Sequence, residues 1–477
     1  MPTHLAAVSP AKGQPFELQT RPTPEPGPGE LLIAVKSVAL NPADSYMRNQ
    51  GLFISTYPTV IGFDISGLVL DIGDNVPTGN ADDGPGLSFQ PGITRVAAYA
   101  ASFWRSCNPD YGAFQERCLV PWQHAVPLPD EKMTWNHAAT LPVAVEVPLS
   151  AWDALGIPRV GAAADLASNI HASVGTDTGG GTRKKDEKQE EALLIWGASS
   201  SVGTMGVQSG RLLKEDQNSS FAAVYATAGL ANIKYVSSLG ADRVFDYKDP
   251  RVVDTIVSAA REDGLVIRHC FLAVGQLALC QAVLKAFLRI DEGGEKKAKI
   301  GSAPIVPPDA DMVDGVEIIF LQPSTEEGER LEQFRYWMGT WLRENLAKGI
   351  VRPSPEPTVV GKGLGAINAG LDMLLQGRAD GTIALGGDDA ESLHLADQER
   401  IETSRVAATD VYETLIYDNI TFDQASIMTG NVRVENWRRI AGRKVMIANN
   451  KFGQDVRIMT GDQGGDAAKS SNDKFRK

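Results

Sequence analysis

Cysteine is scarce in this chain: four residues in 477, Cys107, Cys118, Cys270 and Cys280, with no Cys-x-x-Cys pair. That excludes a disulfide-stapled fold and suits a reducing compartment, most simply the cytosol. No apolar run reaches the roughly 18 residues that a membrane span needs. The N-terminal stretch MPTHLAAVSPAKG lacks the basic-then-apolar layout of a secretion signal. Basic residues fall short of acidic ones, 46 against 59, leaving a net charge of -13. A surplus of that sign argues against nucleic acid as a partner. What remains, 43% hydrophobic and 22% charged, is the composition of a globular protein. The length calls for two or three domains.

The most informative stretch is LLIWGASSSVGTMG, residues 193–206. Four apolar residues run into Gly197, then Ala198, Ser199, Ser200, Ser201 and Val202, then Gly203 and a helix-compatible run. The order reads as buried strand, tight turn, helix. Small residues let a backbone approach a phosphate, and the free N–H groups of a helix start bind it. The usual G-x-G-x-x-G is not reproduced, and small residues also fill ordinary strand-to-helix turns. The spacing downstream favours the phosphate reading. FAAVYATAG (221–229) is a second strand, and 231–249 reads as helix, Gly240 stop and third strand. VIRHCFLAVG (266–275) and KAKIGSAP (297–304) are two more, with helical QAVLKAFL between them. Such alternation predicts an α/β fold with a doubly wound parallel sheet. Ligands then bind at the carboxyl ends of its strands.

Residues 1–150 are rich in Pro and Gly with short β-like runs, and read as an all-β module. Residues 161–191 are small and polar, then charged, and read as a flexible surface insertion. After Leu385 come some 90 residues in which FDQASIMTGN (422–431) resembles FGQDVRIMTGD (452–462). Two such segments can stack as β-arcs and self-associate; the alternative is a disordered tail.

The motifs PGPGELLIAVKSVALNPAD (26–44), YPTVIGFDISG (57–67), DYGAFQERCLVP (110–121), AATLPVA (138–144), LLIWGASSSVG (193–203), LGADRVFDYKDP (239–250) and GLGAINAGLDMLLQGRADG (363–381) occur in this order. Together they resemble the zinc-independent medium-chain dehydrogenase/reductases, in the quinone-oxidoreductase and fungal trans-enoyl-reductase branch. The resemblance implies a GroES-like catalytic domain (1–150 and 322–386), a Rossmann domain (151–321) and a C-terminal extension (387–477). Zinc members place Cys and Gly-His-Glu motifs where this chain has NPAD (41–44) and GFD (62–64), so Phe63 stands for the ligating His and no metal is expected.

The second Rossmann strand ends without an acid after Thr227, which favours NADP over NAD. Gly229 and Ala231 stand where relatives place phosphate contacts; Lys234 is the nearest cation, or a solvated helix lysine. The resemblance further implies Tyr247 at the adenosine end, and Val274, Gly275, Ser302 and Ala303 near the nicotinamide. Phe53 takes the place of a proton-donating Tyr of mitochondrial-type enoyl reductases. Tyr46 and Tyr57 flank it as substitute donors. Asn41 and Asp44 either shape cofactor and loop or only form the turn and cap the helix. LPVAVEVPLSAWDAL (141–155) carries EVPLS as extra length near the nicotinamide end. The expected activity is NADPH-dependent reduction of an enoyl, enone or quinone-like small molecule by a monomer or homodimer. A nucleotide-binding scaffold and an alcohol dehydrogenase stand as alternatives.

Overall fold

Eleven consecutive buried residues, Glu30–Leu40, form the longest strand among the described residues and the spine of the first sheet. The computed structural model describes residues 2–79, 87–160, 190–217, 219–288, 298–375, 382–383, 414–417, 439–440, 443–447 and 458–460. Two units separate, Met1–Thr421 and Phe422–Lys477.

In the first unit the strands are β1 Thr3–Ser9, β2 Glu17–Pro22, β3 Glu30–Leu40, β4 Thr59–Val60, β5 Asp64–Ile72, β6 Arg95–Tyr99, β7 Arg117–Pro121 and β8 Ala125–Pro127. β3 pairs antiparallel with β5 and β7, β5 with β6, and β6 with β8. Helix α1, Pro42–Gln50, leaves the end of β3; Pro at its first position costs no hydrogen bond, and left-handed Gly51 (φ 72°) stops it. Helix α2 spans Trp135–Ala139. The region flagged for extra length is one unbroken helix, α3 Pro142–Leu155, with Pro148 inside it and left-handed Gly156 (φ 75°) after it.

The second sheet is parallel, built from β9 Glu191–Trp196, β10 Phe221–Ala228, β11 Arg243–Asp246, β12 His269–Leu272, β13 Ala298–Ser302 and β14 Val316–Phe320. Its order is β11-β10-β9-β12-β13-β14, so the chain reverses direction across the sheet between β9 and β12. Helices α4 Ser201–Glu215, α5 Ile233–Ser238, α6 Val252–Glu262 and α7 Leu277–Lys285 connect the strands. The α/β reading with a doubly wound parallel sheet holds. The sixth strand, VEIIF, follows a Pro- and Asp-rich stretch and was not among those read from sequence.

The chain returns to the first domain through α8 Glu327–Phe334, a π-helical segment Arg335–Leu342 and α9 Arg343–Ala347, then α10 Ile367–Leu375. Strands β15 Pro357–Thr358, β16 Thr382–Ile383 and β17 Thr414–Tyr417 join the first sheet, β17 lying parallel beside β3. In the second unit β18 Arg439–Ile440, β19 Arg443–Ile447 and β20 Ile458–Thr460 form an antiparallel sheet. The later copy of the sequence repeat thus supplies β20, paired to β19; the earlier copy, 422–431, lies outside the described residues, as does 161–189 of the expected insertion.

β17 covers the hydrogen-bonding edge of β3 at Ser37–Leu40, where the chain leads into α1. We therefore propose that the catalytic domain ends near 421 rather than 386. A chain shortened to residue 421 should keep the thermal midpoint of the full protein. One ending at 387 should melt several degrees lower or associate through the bared edge. Matching melts for the two shortened chains would refute the boundary.

Candidate active site

Loop 197–200 follows β9 at the switch point, the crevice where open α/β sheets bind ligands. Gly197 is left-handed (φ 79°), and a Cβ there would lie 2.4 Å from Val274. Its N–H donates to Thr227 Oγ1 (2.9 Å), and the Ala198 N–H to the Thr227 carbonyl (2.8 Å). The buried Thr227 therefore shapes the loop from the end of β10. Ser200 caps α4: its hydroxyl accepts from the Gly203 N–H (3.1 Å) and donates to the Gly197 carbonyl (2.8 Å). A Cβ on Gly203 would meet the Gly197 carbonyl oxygen at 2.3 Å, so this glycine serves the loop's own closure. Ser199 is buried beside them. Ser201, 1% exposed, holds a buried hydroxyl with no hydrogen-bond partner. Such a group costs stability unless something meets it.

Across the switch, the Ala273 N–H donates to the Trp196 carbonyl (2.9 Å), and Gly275 (φ 125°) passes so close to the Trp196 indole that a Cβ would lie 2.7 Å from Nε1. The Ser302 hydroxyl donates to the Pro304 carbonyl (2.8 Å), and the Ala303 N–H to the Leu272 carbonyl (2.9 Å). Val274, Gly275, Ser302 and Ala303 thus sit together at the carboxyl ends of β12 and β13. Tyr247 packs at the end of β10, 3.7 Å from where a Gly229 Cβ would be. Lys234 is exposed on α5. Lys248, passed over in the sequence, places its Nζ 5.6 Å from the Tyr247 ring centre.

The facing half is built on Asp64. One carboxylate oxygen accepts from Asn41 Nδ2 (3.0 Å), the other from the Val143 N–H in the first turn of α3 (2.8 Å). Asp44 accepts from the Asn41 N–H (2.7 Å). Helix α3 runs against β13: Lys299 Nζ donates to the Leu155 carbonyl (3.3 Å), and a Gly301 Cβ would lie 3.3 Å from that of Ala151. The other end of α3, with Val143 and Glu146, therefore lies at the carboxyl end of the parallel sheet. Asn41, Asp44 and Asp64 are thereby tied to that end of α3.

Tyr46 is half-buried on α1. The Tyr57 hydroxyl is buried without a hydrogen bond, 3.1 Å from where a Gly51 Cβ would be and beside Lys12. Burial, with Cys107 nearby, raises its pKa. Phe63 packs between Tyr99 (5.6 Å) and Phe103 (5.8 Å). Among the described residues no group of three or more His, Cys, Asp or Glu could hold a metal.

Sequence reasoning missed Glu146, whose signal was a lone acid inside the apolar run LPVAVEVPLSAW. Buried at 4% exposure, its carboxyl is pushed by desolvation to a pKa of about 8. Tyr99, opposite Asp64 in the β5–β6 pairing, is pushed well above the phenol range, first by burial, then by Glu146, Asp64 and Asp44. Phenol and carboxyls therefore converge behind the site, and Glu146 keeps its proton at neutral pH. Its native pKa lies above that of a free glutamate, so the unfolded chain releases this proton first as pH rises. The stabilisation is complete below about pH 4.5, and is lost as pH climbs to about 8. Glu146→Gln should show little change in melting temperature at pH 5 and a gain over the parent that grows toward pH 8. Parallel melting curves across that range would contradict the burial argument.

Residues 27–130 match the alcohol dehydrogenase GroES-like domain family. The trans-enoyl reductase tndF of Aspergillus flavipes is 37% identical over 377 residues, which cover 78% of this chain and 96% of that relative. The trans-enoyl reductase tazE of Aspergillus terreus is 38% identical, over 68% of this chain and 93% of its own length. In fold, the chain is similar to an alcohol dehydrogenase superfamily protein from Novosphingobium aromaticivorans (TM-score 0.56, 17% identity, 86% and 99% covered). It is likewise similar to a quinone oxidoreductase of Pseudomonas syringae (TM-score 0.53, 17% identity, 80% and 98% covered). By these relatives, and by a GroES-like sheet joined to a Rossmann sheet, the chain belongs to the medium-chain dehydrogenase/reductases.

Proposed function

We propose that this protein reduces the C=C bond of an enoyl or enone substrate with hydride from NADPH and without zinc. Quinone-like acceptors are the neighbouring substrate class. The observations that carry the reading are the switch-point loop, with its unmet Ser201 hydroxyl, and the Asn41–Asp64–Val143 tie at the start of α3.

The residues fit a dinucleotide. Ser201 opens α4, a fifteen-residue helix whose first N–H groups and positive end favour an anion. A pyrophosphate oxygen there would satisfy the stranded hydroxyl. At the end of β10 no acid follows Thr227, and Lys234 and Lys248 are the cations nearest in sequence to its two flanking turns. When bound, the nicotinamide supplies the hydride; the protein supplies orientation and a proton. Asp64 fixes the turn at Asn41 against the start of α3. Glu146 holds a proton in the wall behind Tyr99, and Tyr46 and Tyr57 remain the donor candidates on the α1 side. Phe63, packed among rings, has no lone pair for a metal, which supports zinc independence and weighs against an alcohol dehydrogenase.

Two measurements test this reading. Ser201→Ala should stabilise the unliganded protein slightly, because it removes an unpartnered buried hydroxyl, yet weaken NADPH about tenfold, roughly 1.4 kcal/mol. Fluorescence titration and thermal melting read the two signs; unchanged affinity would move the pyrophosphate elsewhere. Consumption of NADPH with 3-penten-2-one, undiminished by a chelator and faster than with NADH, is the expected activity. Tight NADPH binding with no turnover on enones or quinones would favour a nucleotide-binding scaffold instead.

A further inference from the structure

Two loops beside the site hold three non-glycine residues in left-handed backbone: Phe53 (φ 61°), Ser106 (φ 54°) and Cys107 (φ 59°). The loops are clipped together. The Ser55 N–H donates to Cys107 Sγ (3.3 Å), and Thr59 Oγ1 donates to the Cys107 carbonyl (2.7 Å). Strained backbone persists only where its surroundings over-determine it, and it concentrates at ligand clamps.

What this clip presents is a ring. Phe53 is 42% exposed, an unusual place for a large apolar side chain that the backbone is strained to hold. It stacks on Phe103 with centroids 5.2 Å apart and planes 23° from parallel. Phe103 meets Trp104 at 4.7 Å and the edge of Phe63 at 5.8 Å, and Phe63 meets Tyr99 at 5.6 Å. A contiguous row of aromatic rings therefore leads from solvent to the two residues that flank Asp64, one by sequence and one across the β5–β6 pair. Where Trp104 joins the row, the Arg330 guanidinium lies over its ring, 4.5 Å from the centroid.

We propose that Phe53, with Phe103 behind it, sets substrate specificity by stacking on a flat, conjugated apolar group attached to the reacting enone. The inference rests on the enone-reductase reading above. It assigns a binding role to the ring at the place where a donor Tyr was expected. An aromatic face prefers an offset or edge-on π-system to a saturated chain and gives no hydrogen bond to a polar one.

The test uses the full protein, NADPH and two enones with the same reacting end: 3-penten-2-one and 4-phenyl-3-buten-2-one. Phe53→Ala should raise KM for the phenyl compound about tenfold, hold that for pentenone within about twofold, and leave kcat unchanged for both. Phe53→Gly, which relaxes the left-handed backbone but also lacks the ring, should behave as Phe53→Ala does. Parent-like discrimination in both variants, with parent-like melting, would overturn the proposal. So would an equal rise in KM for both enones. Binding of 4-phenyl-3-buten-2-one by saturation-transfer NMR needs no turnover and keeps the two readings apart. A parent protein that binds the compound but reduces neither enone fails the reductase reading alone. Equal binding by parent and Phe53→Ala, or no binding by the parent, fails the specificity proposal.

Discussion

The structure around the site depends on one buried carboxylate. Asp64 is wholly buried, and a charge there is tolerable only if its oxygens are met by donors. One oxygen takes the amide of Asn41 at the turn into α1, and the other takes a free N–H at the start of α3. The helix start is a favourable place for a negative group. Because α3 also lies on β13 of the parallel sheet, this carboxylate ties the start of an interior strand of one sheet to a helix fixed on the other. A second tie runs through α4: Thr204 Oγ1 donates to the Ser354 carbonyl (2.9 Å), and Gln208 Nε2 to the Ser354 hydroxyl (3.0 Å). Both ends of the crevice are therefore held by buried polar contacts, which demand exact partners in a way that apolar packing does not.

The same wall divides its protons by environment. Glu146 is kept neutral by burial. His124, stacked on Phe334 at 4.0 Å with its Nδ1 against the Tyr99 carbonyl, is depressed to about pH 3 by burial and stays neutral too. A neutral imidazole against a carbonyl must donate through Nδ1, which leaves Nε2 a bare acceptor. Asp64 differs from both in that each of its oxygens meets a donor.

Much of this was legible in the sequence. The order strand, small-residue loop, helix was legible because backbone close approach has few chemical solutions: Gly197, Ser200 and Gly203 interlock as such a loop must. Asn41 follows the end of β3, and Val274, Gly275, Ser302 and Ala303 lie at or just beyond the ends of β12 and β13, because strand ends can be read from apolar runs. Glu146 was not legible, since a lone acid in a helix is usually solvated and only tertiary burial changes its protonation. Nor was the division of labour among glycines: Gly203 closes on its own loop, while a Cβ on Gly206 would strike the Phe271 ring at 2.8 Å. The strand Thr414–Tyr417 escaped because it lies far along the chain from its neighbour β3, beyond a stretch whose composition reads as linker.

The residue at position 63 shows how far a site has to change to exchange one chemistry for another. An imidazole placed there would sit among Tyr99 and Phe103, where desolvation holds it neutral and its lone pair would lack company. Asp64, the nearest carboxylate in sequence, already spends both oxygens on Asn41 and Val143. Asn41, in the NPAD stretch, offers an amide, and that amide is given to Asp64. A metal centre needs three or four donors released together and a second shell to orient them. Here those positions are committed to an aromatic row and to the tie between helices. Placing a single imidazole at position 63 would therefore cost the ring contacts made there.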